Sequence, residues 1–201
     1  MVSSTRCCTN FQPQRVNRTW LVAAVLSWLL MWTNAVRGEG AHIKSAELIP
    51  TEAGYSLEAN YDITLTHTLE EALVRGLPLV FVTEFELLYP RWWTLNLWNR
   101  IISEFRTQHR LSYNALTRQY RVSFGTLNQN FDTLDEALAV IGRVRYSPAV
   151  RFQEIEPEDV YLAVLRLRLD TSQLPKPLQI DALGSSDWSL SSDWYRWTFK
   201  P

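Results

Sequence analysis

The feature that most constrains the fold is an unbroken alternation of apolar and polar side chains over residues 55–65. The apolar positions are Tyr55, Leu57, Ala59, Tyr61, Ile63 and Leu65, and every residue between them is polar. A repeat of two places the two sets on opposite faces of a β-strand, so the segment predicts a strand with one buried face. The Thr-Glu-Ala-Gly segment at 51–54 predicts a turn, with residues 43–49 as the first strand of a hairpin.

Four more segments predict strands of the same kind. Residues 79–88 begin as an apolar run and then alternate around Glu84 and Glu86. Alternation returns over three further segments, 105–113, 119–124 and 160–169. Because few of these segments are continuously apolar, they favour an antiparallel sheet over a parallel one, whose strands are buried on both faces.

Two short helices are predicted by capping boxes, in which a threonine and a glutamate three residues later satisfy each other's backbone amides. Such boxes start at Thr68 and at Thr133. Gly76 is placed to end the first helix in a left-handed conformation. The apolar stripe of the second helix runs to Val144, and Arg143 near its end suits the negative pole of the helix dipole.

These elements predict the fold class α+β. We expect a mainly antiparallel sheet or sandwich with two short capped helices, in a single β-rich domain over residues 41–201. Pro175 and Pro177 are expected to end regular structure before the C-terminal tail. The tryptophans of that tail, Trp188, Trp194 and Trp197, are expected to hold it against the domain.

Residues 1–40 predict a signal peptide. Three arginines precede an almost wholly apolar run from 20 to 32, small residues follow it, and no acidic residue occurs before Glu39. This order is typical of export, so we expect the domain to work outside the cytoplasm, in the periplasm. The alternative is an uncleaved membrane anchor, because residues 19–36 are uncharged and reach the lower length limit for a membrane span.

Loss of this segment would exclude several chemistries. Both cysteines, Cys7 and Cys8, precede the apolar run, so the mature domain would hold no disulfide and no reactive thiol. Cleavage after Ala35 leaves 17 basic and 21 acidic residues, a net charge of -4. That balance gives no electrostatic reason to bind nucleic acid. We expect no cofactor and no metal.

The sequence also offers few catalytic groups. The histidines are His42, His67 and His109, far apart in the chain, and no nucleophile elbow is present. Glu84 and Glu86 share a strand face and are interpreted as cross-strand partners of outward arginines rather than as an acid–base pair. The acidic residues at 154–159 are interpreted as a solvated turn. We therefore expect no enzymatic activity.

One tryptophan-rich segment between predicted strands is the candidate binding site. Its apolar residues are Trp92, Trp93, Leu95, Leu97 and Trp98. Tryptophan favours interfaces, and long apolar connections are often functional. The segment is expected either to meet a partner or the membrane surface, to line an apolar pocket, or to pack over the end of the sheet.

Several longer strings resemble a family of exported proteins from Gram-negative bacteria, domain-of-unknown-function family 4390. They are residues 112–121, 133–138, 165–177 and 192–199, and the resemblance covers nearly all of the mature chain. The resemblance implies no catalytic or ligand residues, because the family has no established activity. It implies a signalling context, since members often accompany membrane sensor kinases.

Three functions follow as hypotheses. The first is a non-catalytic module that binds an envelope protein, in the context of a membrane sensor kinase. The alternative is a protein that carries or senses an apolar ligand or lipid between its sheet and its helices. A hydrolase is the least favoured, because its site would have to come wholly from the fold.

Overall fold

The structure, a computed structural model, describes residues 40–90 and 99–201. The predicted signal peptide or anchor therefore lies outside the described residues, apart from Gly40. The strands are β1 Ala41–Thr51, β2 Gly54–Ile63, β3 Leu79–Tyr89, β4 Arg100–Asn114, β5 Gln119–Phe124, β6 Leu127–Phe131, β7 Arg143–Arg151, β8 Tyr161–Leu169 and β9 Tyr195–Phe199. The α-helices are α1 His67–Val74, α2 Leu134–Ile141 and α3 Lys176–Gly184.

The strands form two antiparallel sheets, which confirms the predicted α+β, mainly antiparallel fold class. One sheet has three strands in the order β1-β2-β7, and the other has six in the order β6-β5-β4-β3-β8-β9. The alternation over residues 55–65 corresponds to β2, and Leu57, Ala59 and Tyr61 are all buried. The predicted hairpin is confirmed as well, since β1 and β2 pair around the turn before Gly54.

The inner faces of the two sheets share one hydrophobic core. The largest fully buried side chains include Leu57 of the small sheet and Phe81, Phe85 and Leu165 of the large one. The sheets also touch directly where β7 lies against β4. There the rings of Phe105 and Tyr146 stack with centroids 4.0 Å apart, and Ser103 Oγ donates to the Ala149 carbonyl over 2.8 Å.

Helix α1 begins at a different threonine from the one predicted. The cap is Thr66, whose hydroxyl oxygen accepts from the Leu69 amide at 3.3 Å. The same hydroxyl donates to the Asp187 carbonyl over 2.6 Å, so the cap also ties the helix to the C-terminal segment. The predicted start at Thr68 is wrong because Thr66 has this additional tertiary partner, which local spacing does not reveal.

Helix α2 starts as predicted but ends earlier. The Thr133 hydroxyl accepts from the Glu136 amide at 3.3 Å, which confirms the cap. The helix stops at Ile141 because the Gly142 carbonyl accepts from the Tyr61 amide of β2 at 2.7 Å. From Arg143 onward the chain pairs with β2 as strand β7, so the prediction that the helix reaches Val144 is wrong.

The C-terminal tail holds more regular structure than predicted. Helix α3 begins directly after Pro175, with Pro177 in its first turn, where a missing amide proton leaves no helical hydrogen bond unmade. The prolines therefore start a helix instead of ending regular structure. Further on, β9 pairs with β8, and Trp188 and Trp197 pack against the core. Trp194 lies under the guanidinium of Arg166, 5.1 Å from its ring centroid.

Two glycines with positive φ allow a direct test of the packing of the small sheet. Gly54 (φ +145°) has the Val150 carbonyl where a Cβ would lie, whereas Gly76 (φ +90°) faces open space. We predict that Gly76→Ala lowers the free energy of unfolding by about 1–2 kcal/mol, from backbone strain alone. Gly54→Ala should cost about 2–5 kcal/mol, because overpacking against β7 adds to the strain.

Urea denaturation of the two variants measures this difference. Equal losses for Gly54→Ala and Gly76→Ala would show that the β2–β7 contact is looser than the structure indicates.

Candidate functional site

The predicted tryptophan-rich site lies outside the described residues. Trp92, Trp93, Leu95, Leu97 and Trp98 all belong to the connection between β3 and β4, and those strands pair up to Tyr89 and Arg100 on either side of it. The binding role of these five residues therefore stays a prediction. The described residues offer a second candidate, which the sequence analysis missed.

This candidate is a cleft of about 250 Å³ on the inner face of the large sheet, here called the β6 cleft. Its walls come from β4, β5 and β6 on one side and from the junction of α2 and β7 on the other. Its lining includes His109, Phe124, Leu127, Gln129, Val140 and Val144.

The cleft exists because the two sheets differ in width. With strands about 4.8 Å apart, six strands span about 24 Å and three span about 10 Å. The small sheet meets the large one at β4, β8 and β9, and helix α2 packs against β5 and β6, the two strands beyond β4. A helix of eight residues does not cover this overhang completely, and the uncovered part is the β6 cleft.

The apolar wall of the cleft is only partly shielded from solvent. Leu127 is 67% exposed and Phe124 is 44% exposed. Strand register places Phe124 and Leu127 opposite each other across β5 and β6. Val140 and Val144 face them from α2 and β7. Exposed large apolar side chains beside a cavity are typical of a binding surface.

His109 supplies a polar group inside the apolar cleft. Its imidazole stacks on Phe124 with centroids 4.9 Å apart. Its Nδ1 is buried, and among the described residues it has no hydrogen-bond partner. Burial lowers the pKa of His109, so the neutral imidazole is favoured. The observed contact of the imidazole with β5 is therefore aromatic stacking.

A small polar cluster lies in the core next to the cleft. Thr83 and Thr107 are opposite each other across β3 and β4, and both are buried. The Tyr61 hydroxyl comes from the small sheet; burial raises its pKa, and the neighbouring Thr83 hydroxyl offsets part of the rise. The Tyr61 side chain is thus held in its neutral, protonated form, which is unsuited to act as a base at neutral pH.

Glu84 lies on the opposite, outer face of the large sheet. Its carboxylate accepts from Arg168 Nε at 3.1 Å and Nη2 at 3.0 Å, and Arg106 lies 3.7 Å away. This confirms the interpretation of Glu84 as a partner of outward arginines. Glu86 is half-buried on the same strand face. The two guanidiniums thus hold Glu84 in an ion-pair network on the outer face of the sheet.

A polar depression on the small sheet has the character of an ordinary solvated surface. This depression, about 550 Å³, is lined mainly by polar residues such as Lys44, Asn60 and Asp62. Lys44 and Asp62 form an ion pair of 3.1 Å with both side chains about 60% exposed, as on an ordinary solvated surface. Within residues 40–90 and 99–201, no three His, Cys, Asp or Glu side chains converge as metal ligands.

The depressed pKa of His109 predicts a pH dependence of stability. The unfolded chain takes up a proton near pH 6.5, above the pKa of the folded protein, so stability falls as the pH drops below about 6.5. We predict that the urea midpoint falls between about pH 7.5 and about pH 5.5, and that His109→Gln flattens the fall. Asp170, whose pKa the Ser172 hydroxyl lowers, affects stability only near and below about pH 4.

The matched control is His42→Gln, which changes an exposed histidine of β1. This variant should keep the wild-type slope. An equal fall in wild type and His109→Gln would show that burial of His109 does not cause the pH dependence.

Comparison with known proteins agrees with the resemblance seen in the sequence. No curated protein and no solved structure matches the chain. None of the helices in the described ranges combines the length and the hydropathy needed to cross a membrane. The sequence model of one family, described as a domain of unknown function (DUF4390), matches residues 38–198. Because this match covers most of the 201 residues, the chain belongs to the DUF4390 family.

Proposed function

We propose that the protein is a non-catalytic, exported module of the cell envelope that binds a partner protein through the β6 cleft. The observation that supports this proposal is a cavity on the large sheet whose apolar wall is partly exposed to solvent. Phe124 and Leu127 form that wall. The N-terminal export pattern supports the location. The family context of membrane sensor kinases supports a membrane protein as the partner.

The size of the β6 cleft favours a partner side chain over a free ligand. Pockets for small molecules usually measure roughly 300–1,000 Å³ and enclose most of the ligand. The β6 cleft, at about 250 Å³ and open along Leu127, falls below that range. One or two apolar side chains of a partner would fill it, as anchor residues do at the centre of protein interfaces.

The energy available from these walls is adequate for specific binding. Full burial of a leucine or phenylalanine side chain contributes about 1.5–3 kcal/mol. Covering Leu127 and the exposed part of Phe124 would therefore strengthen binding by about two orders of magnitude. The neutral His109 adds a hydrogen-bonding group at the floor, which would favour a partner with a matching polar atom.

The rim of the cleft adds a charge preference. Arg143 and Arg145 border it at the start of β7. Arg145 pairs with Glu58 over 2.8 Å, whereas Arg143 is exposed and forms no ion pair within the described residues. A partner segment with an apolar anchor and a neighbouring acidic residue would complement both features.

Site-specific photo-crosslinking in the intact envelope tests the cleft. A photo-reactive amino acid at Leu127 should give one discrete protein adduct, because Leu127 borders the anchor pocket. The matched control is the same amino acid at Leu116, which is 96% exposed in the β4–β5 turn. We predict that Phe124→Ser lowers the Leu127 adduct about tenfold or more, from lost apolar contact.

Two results would contradict the proposal. Equal adducts from Leu127 and Leu116 would show random collision, and an adduct of lipid mass from Leu127 would favour the apolar-ligand alternative. The tryptophan-rich segment is tested separately by a Trp92→Ala, Trp93→Ala, Trp98→Ala variant. Unchanged crosslinking of that variant would remove the segment from the binding surface without affecting the β6 cleft.

A further inference from the structure

The edge strand β6 has features that the partner-binding cleft does not explain. Leu127 to Asn130 are exposed and Phe131 is half-buried. Within the described residues, β6 pairs only with β5 and forms one edge of the large sheet. An edge strand presents unpaired backbone N–H and C=O groups, which can pair with another strand.

β6 lacks three of the devices that usually prevent such pairing, namely charges, prolines and bulges. Its five residues, Leu-Asn-Gln-Asn-Phe, include no charge and no proline. The other edge strands carry at least one of these devices. β9 carries Arg196, β7 carries Pro148 and three arginines, and β1 carries Lys44 beside a register shift.

The chemical types of the β6 side chains follow the same order whether the strand is read forwards or backwards. It reads apolar, Asn, Gln, Asn, apolar from either end. Antiparallel pairing of two such strands about Gln129 would place Leu127 opposite Phe131 and Asn128 opposite Asn130. A two-fold interface requires this kind of self-complementarity, because every contact of residue i with residue j is repeated as a contact of residue j with residue i.

The asparagines are positioned for cross-strand contacts. Asn128 Oδ1 accepts from Ser123 Oγ at 2.6 Å, and Asn130 Oδ1 accepts from Arg121 Nε at 3.0 Å. Both side-chain oxygens thus accept hydrogen bonds from residues of β5. Within the described residues, the two side-chain amide nitrogens have no hydrogen-bond acceptor. Each amide nitrogen has two protons to donate across a new strand pair.

From these features we infer that two copies of this chain pair through β6, forming one continuous twelve-stranded sheet. The two-fold axis passes between the Gln129 residues, perpendicular to the sheet, so both β6 clefts lie on the same face. Leu127 gains the phenylalanine at position 131 of the second copy as a neighbour. This dimer goes beyond the proposed function, because it would present two clefts to one partner or membrane and raise avidity without new contacts.

The small contact makes the dimer weak in solution. Pairing of two five-residue strands buries less than the roughly 1,000 Å² of a stable interface. We expect a dissociation constant in the micromolar range or weaker. The test therefore uses covalent trapping of the full-length chain in its membrane envelope.

The trapping variant is Gln129→Cys in a full-length chain that also carries Cys7→Ser and Cys8→Ser. These two changes remove the native thiols. Residue 129 then faces itself across the two-fold axis, with Cβ atoms about 5 Å apart. A short bis-maleimide should give a covalent homodimer, at least about fivefold more than the control Ile180→Cys, whose side chain is 73% exposed on α3.

A second substitution tests whether crosslinking at residue 129 requires strand pairing or only an exposed cysteine. Asn128→Lys, added to the trapping variant, places a lysine opposite Asn130 of the second copy and diagonally across from that copy's own lysine at 128, and a lysine on an edge strand opposes pairing with another strand. Asn128 lies on the outer face, away from the cleft. We expect crosslinking to fall to the control level, whereas Ile180→Lys in the same background leaves it unchanged. An unchanged melting temperature confirms that the exposed substitution leaves the fold intact.

The outcomes distinguish this inference from the proposed function. Equal crosslinking at 129 and 180, or no effect of Asn128→Lys, would overturn self-pairing. A crosslink from residue 129 to a different protein that depends on Phe124 would also overturn self-pairing, and would support the cleft as the partner site.

Discussion

The structure depends on apolar packing between the inner faces of two antiparallel sheets of unequal width. Phe81, Phe85 and Leu165 of the large sheet and Leu57 of the small sheet are almost fully buried in one shared core. Leu57 and Phe85 alternate with polar neighbours on the outer faces, whereas Phe81 lies between two buried valines, Val80 and Val82. Because the side-chain period of a strand is two, a shift of one residue would move the whole apolar set to solvent, so the core also determines register.

The unequal width of the sheets explains where a binding site can form. The small sheet and helices α1 and α2 pack on the inner face of the large sheet, but β5 and β6 extend beyond the small sheet. The same overhang leaves β6 exposed as an edge and leaves Phe124 and Leu127 at the mouth of the cleft. The proposed partner site and the proposed self-pairing edge therefore have one structural origin.

Local patterns predicted the elements whose signals are local. The alternation in β2, the Thr133 cap and the salt-bridged Glu84 were all predictable, because side-chain period, cap spacing and outward charge depend on neighbours in sequence. Prediction failed where a distant partner decided the outcome. Thr66 caps α1 because it reaches Asp187, and α2 stops because Tyr61 pairs with Gly142. β6 was missed because its Leu-Asn-Gln-Asn-Phe sequence gives a weak β signal.

By itself the sequence determined the fold class, the antiparallel character of the sheets and the membership of the DUF4390 family, since these follow from periodicity and from long matching strings. Only the tertiary structure decided that His109 stacks on Phe124 and that β6 lies at an edge of the large sheet. It also decided how far α2 covers that sheet. The reason is physical. A cleft forms between elements that are distant in the chain, so its shape depends on sheet width and strand order, which residue period does not encode.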